Sequence, residues 1–156
     1  MDYWDKLIFE GVRMQNNNSR PFGVYALLFF ILFQGLSGLT GGIGLVLDPS
    51  GKSLQIPINW LDNSPFNDYL IPGLILLTVL GAFPIVTLYR LWFKMKWAWL
   101  SAQVLGLALI IWIGVEILII GYQSDPPLQM IYGLVGLIIL ALVFLPTVRR
   151  YYQEHN

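Results

Sequence analysis

The chain has 156 residues, 56% of them hydrophobic and only 12% charged, and its formal net charge is zero. Soluble domains carry about 25% charged residues, so this composition belongs to the membrane class, and its neutral balance points to no nucleic-acid partner. There is no cysteine, which excludes thiol redox chemistry, disulfides and thiolate metal sites, and the single histidine, His155, stands one residue from the end. Paired-histidine haem ligation and a His-rich metal site are thereby excluded, and no cofactor or metal is expected.

The first segment, MDYWDKLIFEGVRM, places Trp4, Leu7, Ile8 and Val12 at helical spacing, with Asp5, Lys6, Glu10 and Arg13 on other faces. This pattern predicts a short amphipathic helix lying on a membrane surface, as an anchor or as a docking helix for a partner. Residues 1–20 form this element and its NNNSR linker. With Asp2, Asp5 and Glu10 ahead of it, the first apolar run does not read as a cleavable signal, and a retained helix is expected.

Four apolar segments then follow, over 22–47, 69–89, 98–122 and 130–148. Each approaches or exceeds the ~20 residues that cross a ~30 Å hydrocarbon core. In lipid each must be helical, because the backbone has no water to bond. The expected fold is therefore all-α: a polytopic four-transmembrane-helix bundle forming one membrane domain. In span one, GLSGLTGGIG puts Gly38 and Gly42 in a G-x-x-x-G pattern, which lets helices approach closely. Gly133 and Gly136 offer a matching smooth surface on span four. Packing within the bundle and a dimer interface are both open. A bend near Gly41-Gly42 is also open, and Pro84 should kink span two.

The polar loop over 48–68 opens with DPSG, a turn signal in which proline fixes one torsion and glycine permits positive φ. Ser64-Pro65 reads as an N-cap followed by a first-turn proline. Leu54, Ile56, Ile58, Trp60, Leu61 and Phe66 would let this loop lie over the end of the bundle, as a cover or as a lid. Residues 149–156 read as a polar tail.

Charge orients these spans. Lys6, Arg13, Arg20, Arg90, Lys94, Lys96, Arg149 and Arg150 fall on one side, and only Lys52 on the other. The positive-inside rule then puts both termini in the cytoplasm.

Four intramembrane polar groups stand out. Glu116, in WIGVEILIIGY, lies about 27 Å along span three from Ala98, in the outer third. Its helical neighbours include Trp112. An exposed charge near mid-membrane costs about 2–3 kcal/mol on insertion scales, a cost lowered by protonation or by facing inward to a partner. Tyr132 or Gln129 is the expected partner, with Lys52 a further possibility. Glu116 is thus either a ligand, proton or cation site or a structural hydrogen-bonding group. Gln34 lies about 18 Å into span one, near mid-bilayer. An amide there commonly holds helices together; Gln103 and Thr78 read the same way.

The segments DPSGKSLQIPINWL, SPFNDYLIPGLILL, WIGVEILIIGY and the terminal LPTVRRYY together resemble a group of small four-helix bacterial membrane proteins. That resemblance implies an inner-membrane location and assigns no activity. The four-span plan is also similar to that of DoxX-like proteins and of the sterol-isomerase/sigma-2 receptor-like fold, but the motifs of neither are present, and the histidines of the isomerase chemistry are absent.

Three functions follow as expectations. The first is a non-catalytic membrane subunit or accessory component, surrounded by membrane lipids, packing in a homo-oligomer or a larger complex. The second is a small transporter or lipophilic-ligand-binding protein using Glu116, with Trp112, Tyr132, Gln129 and Gln34 as the other candidate site residues. The third is an intramembrane enzyme using Glu116 as its acid or base.

Overall fold

A computed structural model describes residues 20–62 and 64–153. The amphipathic helix expected ahead of Arg20, and His155 in the tail, lie outside the described residues. Those described are helical throughout their regular structure, with no strand among them. Helix α1 spans Phe22–Leu47, α2 Leu70–Trp92, α3 Ala98–Ile120, α4 Leu128–Phe144 and α5 Pro146–Gln153. Two single-turn 3-10 helices, Lys52–Leu54 and Ile58–Leu61, lie in the α1–α2 connection. Helices α1, α2 and α3 are each long and apolar enough to cross a membrane, and α4 with α5 adds a fourth if the bent pair is one span.

These helices are apolar on both faces. Leu107, Ile111 and Leu118 of α3 point away from the packed interior, Leu118 at 87% exposed. A water-solvated helix would carry charged residues on that face. The opposite faces of α1 to α4, joined by α5, form one buried cluster around Leu27, Ile31, Leu80, Leu105, Ile139 and Tyr152.

Helices α1 and α2 run antiparallel with their backbones in contact. A Cβ atom on Gly38 would overlap the Leu80 carbonyl, and one on Gly42 would come within 2.5 Å of the Leu77 nitrogen. From the other side, a Cβ on Gly81 would meet the Leu39 nitrogen at 2.8 Å, and one on Gly73 the Leu45 Cβ at 2.7 Å. The G-x-x-x-G stripe of α1 is thus used within the chain, against the α2 backbone at Leu77, Leu80 and Gly81. Gly133 and Gly136 do not meet it. Gly136 packs against Ile110 of α3, and Gly133 approaches Ile113.

Helix α1 continues without a break through Gly41-Gly42 to Leu47, its glycine face held against α2. Pro84, expected to kink this span, leaves a local distortion in α2. Proline has no N–H, so the Leu80 carbonyl four residues earlier loses its helical donor. The helix widens into a π turn over Thr78–Ala82, and the Gln34 side-chain nitrogen of α1 donates to the Leu80 carbonyl at 3.2 Å. The chain then runs on as one helix to Trp92.

The fourth apolar segment is bent. A residue before proline is pushed towards extended backbone, and Leu145, with ψ 129°, ends α4 ahead of Pro146. Helix α5 departs at 62°. The stretch from Arg149, expected to be a polar tail, is instead the amphipathic second half of α5. It crosses the end of the packed helices and buries Val148, Tyr151 and Tyr152. The Tyr152 hydroxyl donates to the Leu91 carbonyl at 3.2 Å, and the Trp99 indole donates to the Val143 carbonyl at 3.0 Å.

A methyl group therefore has opposite effects on two glycines. Gly38→Ala should destabilise the protein by about 1–3 kcal/mol or more, through overpacking against the Leu80 backbone. Gly114, whose added Cβ meets nothing within 4 Å, should tolerate alanine and gain about 0.5–1 kcal/mol of helix stability. Thermal unfolding of both variants in detergent, followed by circular dichroism, checks this; equal midpoints would contradict the backbone contact.

Candidate functional site beneath the 48–69 loop

The buried stripe of α3 runs through Ala98, Ala102, Leu105, Leu109 and Ile113. Continued at helical spacing, its next position is 116. Glu116 is half-buried there, so the carboxyl side chain lies on the interior face of α3 near the end of the helix that the 48–69 loop covers. Trp112, one turn earlier, and Tyr132 of α4 are both partly buried against the main cluster.

None of the expected partners bonds to Glu116. Gln129, 3% exposed, donates from its side-chain nitrogen to the Gly121 carbonyl at 3.1 Å and accepts from the Gln123 N–H at 2.8 Å. It closes the α3–α4 connection, where the Asp125–Pro126 peptide is cis. The Tyr132 ring stacks against Phe33 of α1, with centroids 6.2 Å apart and planes at 22°. Lys52 is exposed on its 3-10 turn. Among the described residues, no hydrogen bond or ion pair reaches the Glu116 carboxyl group. Gln34 is tied to α2, with its oxygen buried and without a partner; Thr87 Oγ1 and Gln103 Nε2 are likewise buried and unsatisfied.

The cover over this end is built from local turns. Asp48 follows the last residue of α1. One of its carboxylate oxygens accepts from the Ser50 N–H at 3.2 Å and from the Ser50 hydroxyl, and the other accepts from the Ser53 N–H at 2.8 Å. Gly51 takes the positive φ, 76°, that this turn requires. Ser64 does not cap a helix. Its hydroxyl accepts from the Phe66 N–H at 3.1 Å, forming a local turn, and the regular structure of the loop lies earlier, in the two 3-10 segments.

Tyr69 holds the cover together. Its N–H donates to the Pro49 carbonyl at 2.9 Å and its hydroxyl to the Pro57 carbonyl at 2.7 Å. Its ring is buried with Leu45 and Leu61, supported by Ile56, Phe66 and Leu76. The loop that Tyr69 holds reaches α3 through the Ile58–Leu61 turn, which packs on that helix. Tyr69 was not among the candidate site residues read from the sequence, and no spacing in the chain connects positions 69 and 116.

The resulting site is a half-buried carboxyl group without a hydrogen bond, on the interior face of a helix whose end is covered by a loop with an apolar underside. Such a group can accept a proton or attract a cation; no second polar group is hydrogen-bonded to it to make an acid–base pair. Among the described residues no cluster of His, Asp or Glu could hold a metal ion. Searches of family models, curated proteins and solved structures find no match to this chain. The resemblance drawn from the loop and span segments rests on those segments alone.

The Asp48 turn makes a pH prediction. Hydrogen bonds from Ser50, then Ser53, hold the Asp48 carboxyl below its ordinary pKa of 3.8. A depressed folded-state value means that its stabilisation is complete above the unfolded pKa and is lost as pH falls through the folded one. Asp48→Asn should therefore lower the thermal midpoint in detergent at pH 7, and the gap from wild type should shrink as pH is taken below 4. A gap independent of pH would show that the charge on Asp48 contributes nothing.

Proposed function

We propose that this chain is a non-catalytic, four-span inner-membrane protein with both termini cytoplasmic, and that Glu116 is its ligand-recognition group. The ligand class that fits is a lipophilic cation entering from the outer half of the bilayer. The observation carrying this reading is that Glu116 lies on the interior stripe of α3, half-buried and without a hydrogen bond. A structural acid in low dielectric ordinarily has its partner within the fold, because an unpaired one is costly. Here none of the groups that could have served, Gln129, Tyr132 and Lys52, bonds to Glu116. A cationic group on a ligand with an apolar body would supply the missing charge, and the aromatic rings of Trp112 and Tyr132 supply the kind of wall such a body favours.

The homo-oligomeric subunit reading drew on the glycine stripe, the scarce polar chemistry and the amphipathic N-terminus; of these, the stripe is taken up within the chain, where Gly38 and Gly42 lie against α2. Orientation rests on eight of nine basic residues falling on one side of the spans. Reporter fusions after Lys96 should read cytoplasmic and fusions within 48–62 external; the reverse result would overturn the topology.

Two substitutions test the site. Glu116→Gln should fold normally and lower the affinity for tetraphenylphosphonium, a lipophilic cation, by at least about tenfold, or 1.4 kcal/mol. Glu116→Leu should abolish binding yet unfold at the same or a higher temperature than wild type, because it removes a polar group that bonds to nothing. Wild-type protein with no affinity for the cation, or a Leu variant that unfolds early, would contradict this reading. A polypeptide crosslinked through position 116 would instead mark Glu116 as a subunit contact.

A further inference from the structure

At the opposite end from Glu116, α1 and α2 leave an open apolar groove of about 490 Å³ between them. Leu28, Phe29 and Leu32 form one wall, and Ile85, Leu88 and Tyr89 form the other, with Trp92 and Phe93 at its mouth. From Phe93 to Ile85 the α2 wall extends about 12 Å at helical rise. Phe29, Tyr89 and Phe93 are 62%, 58% and 60% exposed, so no part of the described chain fills the groove.

The mouth carries positive charge. The Arg20 guanidinium lies over the Trp92 ring, 4.3 Å from its centroid, and one of its nitrogens donates to the Trp92 carbonyl at 3.0 Å. A guanidinium has five N–H donors, so this bond fixes the group in place and leaves others pointing outward. Every charged residue described at this end is cationic: Arg20, Arg90, Lys94, Lys96, Arg149 and Arg150. Arg90 is positioned by a bond from its guanidinium to the Lys96 carbonyl.

We infer that this groove is a binding site for an anionic phospholipid of the inner leaflet, one acyl chain lying between α1 and α2 and the phosphate on Arg20. The inference rests on the membrane reading of the chain and is independent of Glu116. Three features choose this occupant. The walls are apolar over a length that suits a hydrocarbon chain. The charge at the mouth complements a phosphodiester. The Arg20 fork is fixed on an aromatic ring at the level where tryptophan and arginine meet headgroups. A second copy of this chain would bring the same cationic rim against this one, which like-charge repulsion disfavours.

Quenching of Trp92 tests the site. Wild-type protein is reconstituted in phosphatidylcholine vesicles containing, as a minor component, phosphatidylglycerol or phosphatidylcholine with brominated acyl chains. The Trp92 signal is taken as the difference from Trp92→Phe. Brominated phosphatidylglycerol should quench it at about one-fifth the mole fraction that brominated phosphatidylcholine needs, the preference expected of one cation near the membrane surface. Arg20→Gln should abolish that preference and Arg20→Lys should keep part of it. Equal quenching by the two headgroups in wild type would overturn the proposal, whether or not the Arg20 variants fold. So would an undiminished preference in Arg20→Gln, and so would a Leu32→Cys variant that crosslinks to a second copy through the groove. Failure of the chain to incorporate into vesicles at all would instead refute the membrane reading beneath it.

Discussion

The direct contact between the α1 and α2 backbones organises the rest of the molecule. Gly38 and Gly42 on one helix, and Gly73 and Gly81 on the other, remove the side chains that would hold the helices apart. Close approach lets Gln34 reach the Leu80 carbonyl left open by Pro84, so the amide repairs the one backbone defect in α2. It also aligns the ends. At one end Leu45 meets Gly73, and the Asp48 turn and Tyr69 build the cover. At the other, α1 enters beside Trp92 and brings Arg20 onto its ring. Both candidate sites are thus consequences of one helix pairing.

Much of this was legible in the chain, because hydrophobic run length and glycine spacing report directly on helices that lack a polar face. The helix over 22–47 has the bounds its apolar run implied, and the start of α3 at Ala98 likewise. The DPSG turn was readable from the torsions of proline and glycine. What escaped was partner choice. Small-residue spacing shows that a helix is smooth on one side without saying which neighbour lies there, so Gly133 and Gly136 were matched to the wrong surface. At Pro84 the lost donor was a local fact, readable in the chain, whereas the bond from Gln34 to the Leu80 carbonyl joins residues 46 positions apart.

The acid in α3 shows the same division. Its depth and its apolar neighbours were evident from position alone, and the stripe through Ile113 explains why it turns inward. Its expected bond to Gln129 failed because that amide satisfies the backbone at Gly121 and Gln123, groups orphaned where α3 ends. Backbone groups at a helix terminus compete for nearby side chains, and a glutamine one turn into the next helix is well placed to serve them. Tyr69, held by two carbonyls of the loop, secures the cover over this end from a part of the chain that no periodicity connects to the acid.

If the chain spans a bilayer as proposed, the 62° break at Leu145 has a consequence for the thickness of that bilayer. Helix α4 has 17 residues and so rises only about 26 Å. The hydrocarbon core it would have to match is ~30 Å. Helix α1, at 26 residues, spans about 39 Å. Such a molecule is wedged, short on its α4 side and long on its α1 side. Lipid beside α4 would have to thin while α1 tilts to hide its excess, at a cost of fractions of a kcal/mol per ångström. That asymmetric mismatch favours thin membranes, and it gives neighbouring proteins with the same local thinning a reason to gather beside α4 without any specific contact.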